Sequence, residues 1–389
     1  VFKNRLRILI PLICNFKKSL ENILMSELDE KKVIVGLSGG VDSSTTAALL
    51  LKQGYEVIGI TIKMWGEDCV NRAEDKCCGP QAVMDARAIC SKLGIPHYIV
   101  DLSKEFKQEV IEYFANEYKS GRTPNPCVVC NRKIKFYALI KMADQLGAKW
   151  VSTGHYAKIE YSPELQRWLL KRGKDTKKDQ SYFLFSLTQE QLERTLLPLG
   201  DFTKEDTRKY AEEFGLKTAK KVESQEICFV PDGNYAEFLK KSALVSEKKG
   251  VIVNQQGRVL GYHNGIHMFT IGQRKGIKIP AEKPYYVVDL DPSANRVIIG
   301  SKEDLISNEL IAKNCNWIKF GTPPEKMDVI AKIRYNHAGA PATIYPGENG
   351  SVLVRFHTPQ RAITPGQACV FYDGDTVVGG GWIAKKDEK

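Results

Sequence analysis

Apolar and polar positions along this chain fall into two regimes. From Lys32 to about Arg194, short apolar runs alternate with segments of helical spacing. Val33–Leu37, Val57–Lys63, His97–Leu102 and Trp150–Gly154 are apolar almost throughout, the pattern of parallel strands covered on both faces. Between and beside them the apolar spacing predicts helices over Thr45–Lys52, Ala82–Leu93, Phe106–Tyr118 and Lys133–Leu146. This alternation predicts an α/β domain with a doubly wound parallel sheet, which binds ligands outside the carboxyl ends of its strands. Ser38, Gly154 and His155 all fall at such ends, so the spacing predicts one shared crevice.

Beyond Leu196 the pattern is mixed. Thr203–Phe214 reads as a helix opened by a threonine cap, with Glu205 and Asp206 in its first turn. Gly250–Gly261 reads as a hairpin turning at Gln256-Gly257. From Tyr285 onward short strands dominate: Val287–Leu290 and Arg296–Ile299 around Pro292-Ser293, Ala342–Tyr345 and Val352–Phe356 around Gly347–Gly350, Val370–Tyr372 and Thr376–Val378 around Asp373-Gly374. Such spacing predicts a small barrel or sandwich. The expected organisation is an N-terminal extension over 1–30, an α/β domain over 31–195, a small mixed domain over 196–284 and a β-barrel over 285–389.

The first residues differ from the rest. Val1–Ser19 carries Lys3, Arg5, Arg7, Lys17 and Lys18 with no acid, around the apolar run Ile8–Cys14, which is too short to span a bilayer. An organellar targeting peptide and a basic arm are alternatives; the favoured expectation is a start at Met25, with residues 1–24 not native. Composition adds little: 43% hydrophobic and 26% charged residues are ordinary for a soluble globular protein. A net charge of +11 suits a polyanionic partner, without naming one. Ten cysteines in 389 residues, some in CxxC spacing, do not make a secreted disulfide framework and favour redox, sulfur or metal chemistry in a cytoplasmic enzyme with no membrane partner.

Gly36-Leu37-Ser38-Gly39-Gly40-Val41-Asp42-Ser43 follows the apolar run Val33–Val35 and precedes a helical segment. Strand, glycine turn and helix together hold phosphate, because backbone N–H groups and the helix dipole converge on an anion. Ser38 and Ser43 add hydroxyl donors, and Asp42 is placed to help hold Mg2+. No lysine follows the glycines as it does in GxxxxGK[ST]. Ser-Gly-Gly-Xaa-Asp-Ser instead resembles the PP-loop of the ATP pyrophosphatases, which cut ATP between the α- and β-phosphates.

Gly121–Asn131 is the second motif, with Pro124 and Pro126 ahead of Cys127-Val128-Val129-Cys130. Arg132 and Lys133 follow, and a helix N-terminus is expected just past Cys130, a setting that lowers a thiol pKa. The third is Ser224-Gln225-Glu226-Ile227-Cys228-Phe229. With Thr153–Tyr156, Lys178–Phe183, Gly272–Gly276 and Thr364–Gln367, these segments make the chain resemble the tRNA-specific 2-thiouridylases over about Lys32–Trp382.

The resemblance implies that ATP adenylates the C2 oxygen of the wobble uridine (U34) of certain tRNAs, releasing pyrophosphate. A persulfide on Cys228 then supplies sulfur, and Cys130 acts as nucleophile to assist release. It implies ATP contacts at Gly36, Leu37, Ser38, Gly39, Gly40, Val41, Asp42, Ser43, Ile62 and Gly154, target-base contacts at Asn125, Pro126 and Cys127, and tRNA contacts at His155, Lys178, Asp179, Gln180, Arg334, Tyr335 and Gln367. A disulfide bond, and a sulfur-carrier protein or cysteine desulfurase as donor, come with the family; 31–195 becomes its catalytic domain and 196–284 its tRNA-binding domain. Many members have aspartate where this chain has Cys127. Cys127, Cys130 and Cys228 could therefore ligate a [4Fe–4S] cluster with one iron open to sulfide, an alternative carrier to the persulfide.

Cys69, Cys77, Cys78 and Cys90 match no common zinc spacing and read as reduced packing or surface thiols. Among histidines only His155 has a distinctive position. The basic run Arg167–Lys178 reads as a solvated loop or a phosphate-contacting one. A small-molecule PP-loop ligase and a non-catalytic tRNA-binding protein are the competing functions; the former leaves the cysteines idle and the latter leaves the intact loop idle.

Overall fold

The computed structural model describes residues 28–64, 80–221, 227–230 and 233–385. Residues 1–27 of the expected N-terminal extension, Cys69, Cys77 and Cys78 of the zinc reading, and Ser224–Glu226 lie outside the described residues; the first strand already begins at Asp29, inside that expected extension.

A five-stranded parallel sheet carries the first body. Its strands are β1 (Asp29–Gly36), β2 (Glu56–Lys63), β3 (His97–Asp101), β4 (Ala148–Ser152) and β7 (Thr195–Leu196), in the order β3-β2-β1-β4-β7. Side chains of β1 alternate between two cores. Ile34 packs with Phe106, Phe114, Ile134 and Leu139, while Val33 and Val35 pack with Ala47, Leu50, Ala86 and Cys90. Helices thus cover both faces, as a strand with no polar alternation requires. These helices are α1 (Val41–Lys52) and α2 (Pro80–Leu93) on one side, α3 (103–119) and α4 (126–145) on the other. Both α3 and α4 contain a π-helical turn, Lys107–Glu112 and Asn131–Lys135. Cys90 is a packing thiol, 1% exposed, and burial pushes it up to about 12.

The helix of the cysteine motif, α4, begins earlier than its spacing predicts. Pro126, rather than a residue past Cys130, opens it, because proline's fixed φ suits the first helical position, where no N–H is needed.

Helix α5 (Lys204–Glu213) is capped by Thr203, whose hydroxyl accepts from Asp206 N while Asp206 answers to Thr203 N. It packs on α1, with Ala211 and Leu216 against Val41 and Ala48. With β7, it carries the first body past residue 195. A four-stranded sheet follows: β8 (Gly250–Asn254), β9 (Val259–His263), β10 (Tyr286–Asp291) and β11 (Arg296–Gly300), ordered β10-β11-β8-β9. The boundary expected at 284/285 therefore falls within one sheet. Its pairing of β11 with β8 is long-range, and no composition shift marks it.

Strands β12 (Ile306–Trp317), β13 (Met327–Lys332), β14 (Ala340–Pro346), β15 (Val352–Arg361), β16 (Ala368–Asp373) and β17 (Thr376–Ile383) follow the order β12-β15-β14-β13-β16-β17. Pairing of β12 with β17 closes them into an antiparallel barrel, which removes both sheet edges. A hairpin from the first body, β5 (Ala157–Ser162) and β6 (Arg167–Arg172), attaches to β17 through Lys171 and Thr376. This overturns the loop reading of Arg167–Arg172. Its cations are used internally: Arg167 donates to the carbonyls of Trp317 and Ile318, Lys171 pairs with Glu160, and Arg172 lies 4.0 Å over the Tyr372 ring. The barrel shares a core with the first body through Ile318, Ala368, Val370, Tyr372 and Val377. Among the described residues no helix is long and apolar enough to cross a membrane.

Candidate active site

The crevice at the carboxyl ends of β1 and β4 is a cavity of about 170 Å³. Gly36, Leu37, Ser38, Asp42 and Ser43 line one wall; Thr153, Gly154, His155 and Gln180 line another; Ile60, Ile62 and Met64 come from β2 and its exit, and Lys135 and Leu139 from α4. The shared crevice expected from Ser38, Gly154 and His155 is present.

Helix α1 starts at Val41, four residues before its apolar spacing indicates, so Asp42 and Ser43 occupy its first turn. No side chain caps it, which leaves its first-turn amides for a ligand. The loop is pinned from within: Ser38 N donates to Ser43 Oγ at 3.2 Å, and the two hydroxyls are 3.3 Å apart. At Gly39, φ is +69° and a Cβ would stand 2.5 Å from the Ala82 carbonyl oxygen, so only glycine fits. Gly154 passes so close to α1 that a Cβ would lie 2.8 Å from Ser43 N and from the Asp42 carbonyl carbon. That contact brings β4 and the loop into one wall.

Asp42 is held by residues the motif did not indicate. Its Oδ1 accepts from Lys204 Nζ at 2.6 Å and from Tyr156 Oη at 2.8 Å. The Tyr156 hydroxyl also lies 2.9 Å from Thr207 Oγ1. Oδ1 is thus occupied, leaving Oδ2 as the atom that could meet a cation at the cavity. The carboxylate and the two serine hydroxyls form a donor set of hard oxygens, which fits Mg2+ accompanying phosphates.

His155 closes the other side. Its Nδ1 lies 2.8 Å from Thr153 Oγ1 and its ring stacks on Phe136. Burial, and after it the positive Lys135, push this imidazole down to about 3, so it is neutral at physiological pH. Lys135 supplies the cation that the glycine turn lacks. It reaches the cavity from a π turn, five residues past Cys130, and only the folded helix reveals that.

Helix α4 joins this cavity to the cysteines. Cys127 lies in its first turn and Cys130 one turn on. Cys130 is 6% exposed, 4.0 Å from Met64 Sδ, among apolar neighbours that include Val128 and Ile134. Of the two cations that follow Cys130 in sequence, Lys133 pairs with Glu109 on the surface and Arg132 is exposed. Cys228 is half-buried against the same core. Phe229 anchors its segment through ring contacts with Phe106, Phe114 and Phe238. Among the described residues no three His, Cys, Asp or Glu side chains group closely enough to hold a metal ion, so this arrangement does not fit a three-thiolate cluster.

The remaining expected residues separate. Gln180 is in the cavity wall, its Oε1 accepting from Tyr156 N. Asp179 is 5% exposed and accepts from Gly173 N, Ser181 N and Ser181 Oγ; it builds its loop rather than facing outward. Arg334 is exposed, and Tyr335 packs on Phe183 at 4.5 Å. Gln367 spends both amide hydrogens on the carbonyls of Thr123 and Pro124.

Three family profiles cover most of the chain: the tRNA methyl transferase HUP domain over residues 31–232, the tRNA methyl transferase PRC-barrel domain over 236–301 and the aminomethyltransferase beta-barrel domain over 307–383. The tRNA-specific 2-thiouridylase MnmA 1 of Caldanaerobacter subterraneus subsp. tengcongensis is 52% identical over 91% of this chain and 98% of its own. The MnmA proteins of Carboxydothermus hydrogenoformans and Clostridioides difficile are each 50% identical, over 93% and 91% of this chain and 100% and 98% of their own. The chain belongs to the tRNA-specific 2-thiouridylase family. As a 2-thiouridylase it is a tRNA sulfurtransferase, and the cavity and cysteine helix are the parts of the fold where that chemistry can be sought.

Proposed function

We propose that this chain uses ATP bound at the Gly36–Ser43 turn to replace the C2 oxygen of the tRNA wobble uridine with sulfur. The observation that carries this reading is a cavity whose walls are shared by the phosphate-type turn and by the helix bearing Cys127 and Cys130. The uridine oxygen attacks the α-phosphate and pyrophosphate leaves, which converts a poor leaving group into AMP. Lys135, the α1 amides and the two serines stabilise the charge that develops on the phosphates. Asp42 Oδ2, Ser38 and Ser43 are the groups that would hold Mg2+, which when bound neutralises phosphate charge. Neutral His155 donates or accepts a hydrogen bond without adding a charge.

Sulfur then arrives from a persulfide on Cys228. Its terminal sulfur attacks C2 and AMP leaves. Cys130 thiolate attacks the Cys228 sulfur, releases 2-thiouridine and forms a Cys130–Cys228 disulfide that an external thiol reduces. The donor that reloads Cys228 is a sulfur-carrier protein or a cysteine desulfurase. Asn125–Cys127 face the base, and His155, Lys178, Arg334 and Tyr335 face the anticodon stem-loop. The test is nucleoside analysis after incubation with unmodified tRNA, ATP and a sulfur donor, alongside iron and sulfide analysis of anaerobically purified protein. Absence of 2-thiouridine in air and under nitrogen would defeat this reading; activity that tracks bound iron would replace the persulfide with a cluster.

A further inference from the structure

The loop that delivers the cysteines is held by the barrel. Thr123 N donates to the Pro365 carbonyl at 2.8 Å, and Gln367 Nε2 donates to the carbonyls of Thr123 and Pro124, each at 3.0 Å. Two acceptors around one nitrogen fix the orientation of that amide. Gly366, at φ +87°, packs so tightly that a Cβ would stand 2.9 Å from Arg122 Cβ and 3.0 Å from the Thr123 carbonyl oxygen. Arg122 in turn forks onto both carboxylate oxygens of Glu117, at 2.6 and 2.9 Å. Pro124, Asn125 and Pro126 are buried behind this clamp, and Pro126 is the first residue of α4. Whatever fixes Pro124 therefore fixes the height of Cys127 and Cys130 relative to the cavity.

We propose that Gln367 is a positioning residue for the cysteine helix: the turn Thr364–Gln367 lets the C-terminal barrel set the register of α4 against the nucleotide crevice. The activity arm of the test rests on the thiolation reading; the other arms do not. Gln367→Ala removes both hydrogen bonds, and Gln367→Glu keeps the volume while setting an acceptor against two carbonyls. In the full-length chain, hydrogen exchange over residues 121–131 and iodoacetamide labelling of Cys127 should each quicken ~10-fold or more, the scale set by losing two hydrogen bonds to backbone. Exchange in β1 should stay unchanged, which establishes that both variants fold. At saturating tRNA the single-turnover thiolation rate should fall by a similar factor while the tRNA Kd stays within about twofold. Wild-type exchange and labelling in both variants would overturn the proposal. So would a raised tRNA Kd with an unchanged single-turnover rate, which would make Gln367 an RNA contact, or faster exchange with full activity. If the wild type makes no 2-thiouridine, the thiolation reading fails, and exchange and labelling decide the clamp alone.

Discussion

Replacing Lys204 with methionine tests how the loop carboxylate is held. The ammonium lies 2.6 Å from Asp42 Oδ1, with the lysine side chain 11% and the aspartate 33% exposed. Breaking a fully buried pair by removing one partner costs roughly 3–5 kcal/mol, whereas exposed pairs are worth at most about 1 kcal/mol. Asp42 keeps a third of its surface open at the cavity, so Lys204→Met should destabilise the first body by about 2 kcal/mol, between those limits. Asp42→Asn should cost a similar amount, because it leaves the nearly buried ammonium facing a neutral acceptor. The chain has several domains, so a single melting temperature mixes their transitions. Native-state exchange of the Val33–Val35 amides reports the first body directly: about 2 kcal/mol corresponds to a roughly 30-fold faster rate. The double variant Asp42→Asn/Lys204→Met should lose less than the sum of the singles, with a coupling of about 1 kcal/mol or more. Strict additivity, or single variants that exchange like the wild type, would refute the ion pair as the element that holds Asp42.

Gly154→Ala should force apart β4 and α1, since its methyl would meet backbone atoms at 2.8 Å; overpacking of about 1–3 kcal/mol would show as faster β4 exchange and weaker ATP binding. Cys228→Ser should abolish 2-thiouridine formation with tRNA affinity unchanged by filter binding, and retained thiolation would remove Cys228 from the reaction. The imidazole of His155 titrates near 3 in the fold against its ordinary 6.5. Below about 6.5 the unfolded chain takes up a proton that the folded one refuses, so stability falls as pH drops from about 6.5 toward 3 and is fully present above that window. His155→Gln should flatten this part of a urea-denaturation profile; an identical pH dependence would place the acid sensitivity elsewhere.

Local chemistry determined a good deal of this protein. The runs around Val33–Val35 read as strands buried on both faces, and the glycines of Gly36–Gly40 as a strand-to-helix turn, because such constraints act between neighbours in sequence. The segments Ser38–Ser43, Cys127–Cys130 and Cys228 were legible for the same reason: each is a contiguous chemical unit. What the sequence left undecided depends on contacts between residues far apart. Lys204 meets Asp42 across 162 positions and Gln367 meets Pro124 across 243. The basic strand Arg167–Arg172 looks like a solvated loop until the barrel supplies Trp317, Ile318 and Tyr372 to receive its cations. The start of α4 shifted as well, turning Cys127 rather than Cys130 toward a helix N-terminus and sinking Cys130 into an apolar wall. A motif states which groups are present; their burial, their partners and the direction they face are set by tertiary packing, because charge and hydrogen-bond energies depend on surroundings that only the folded chain assembles.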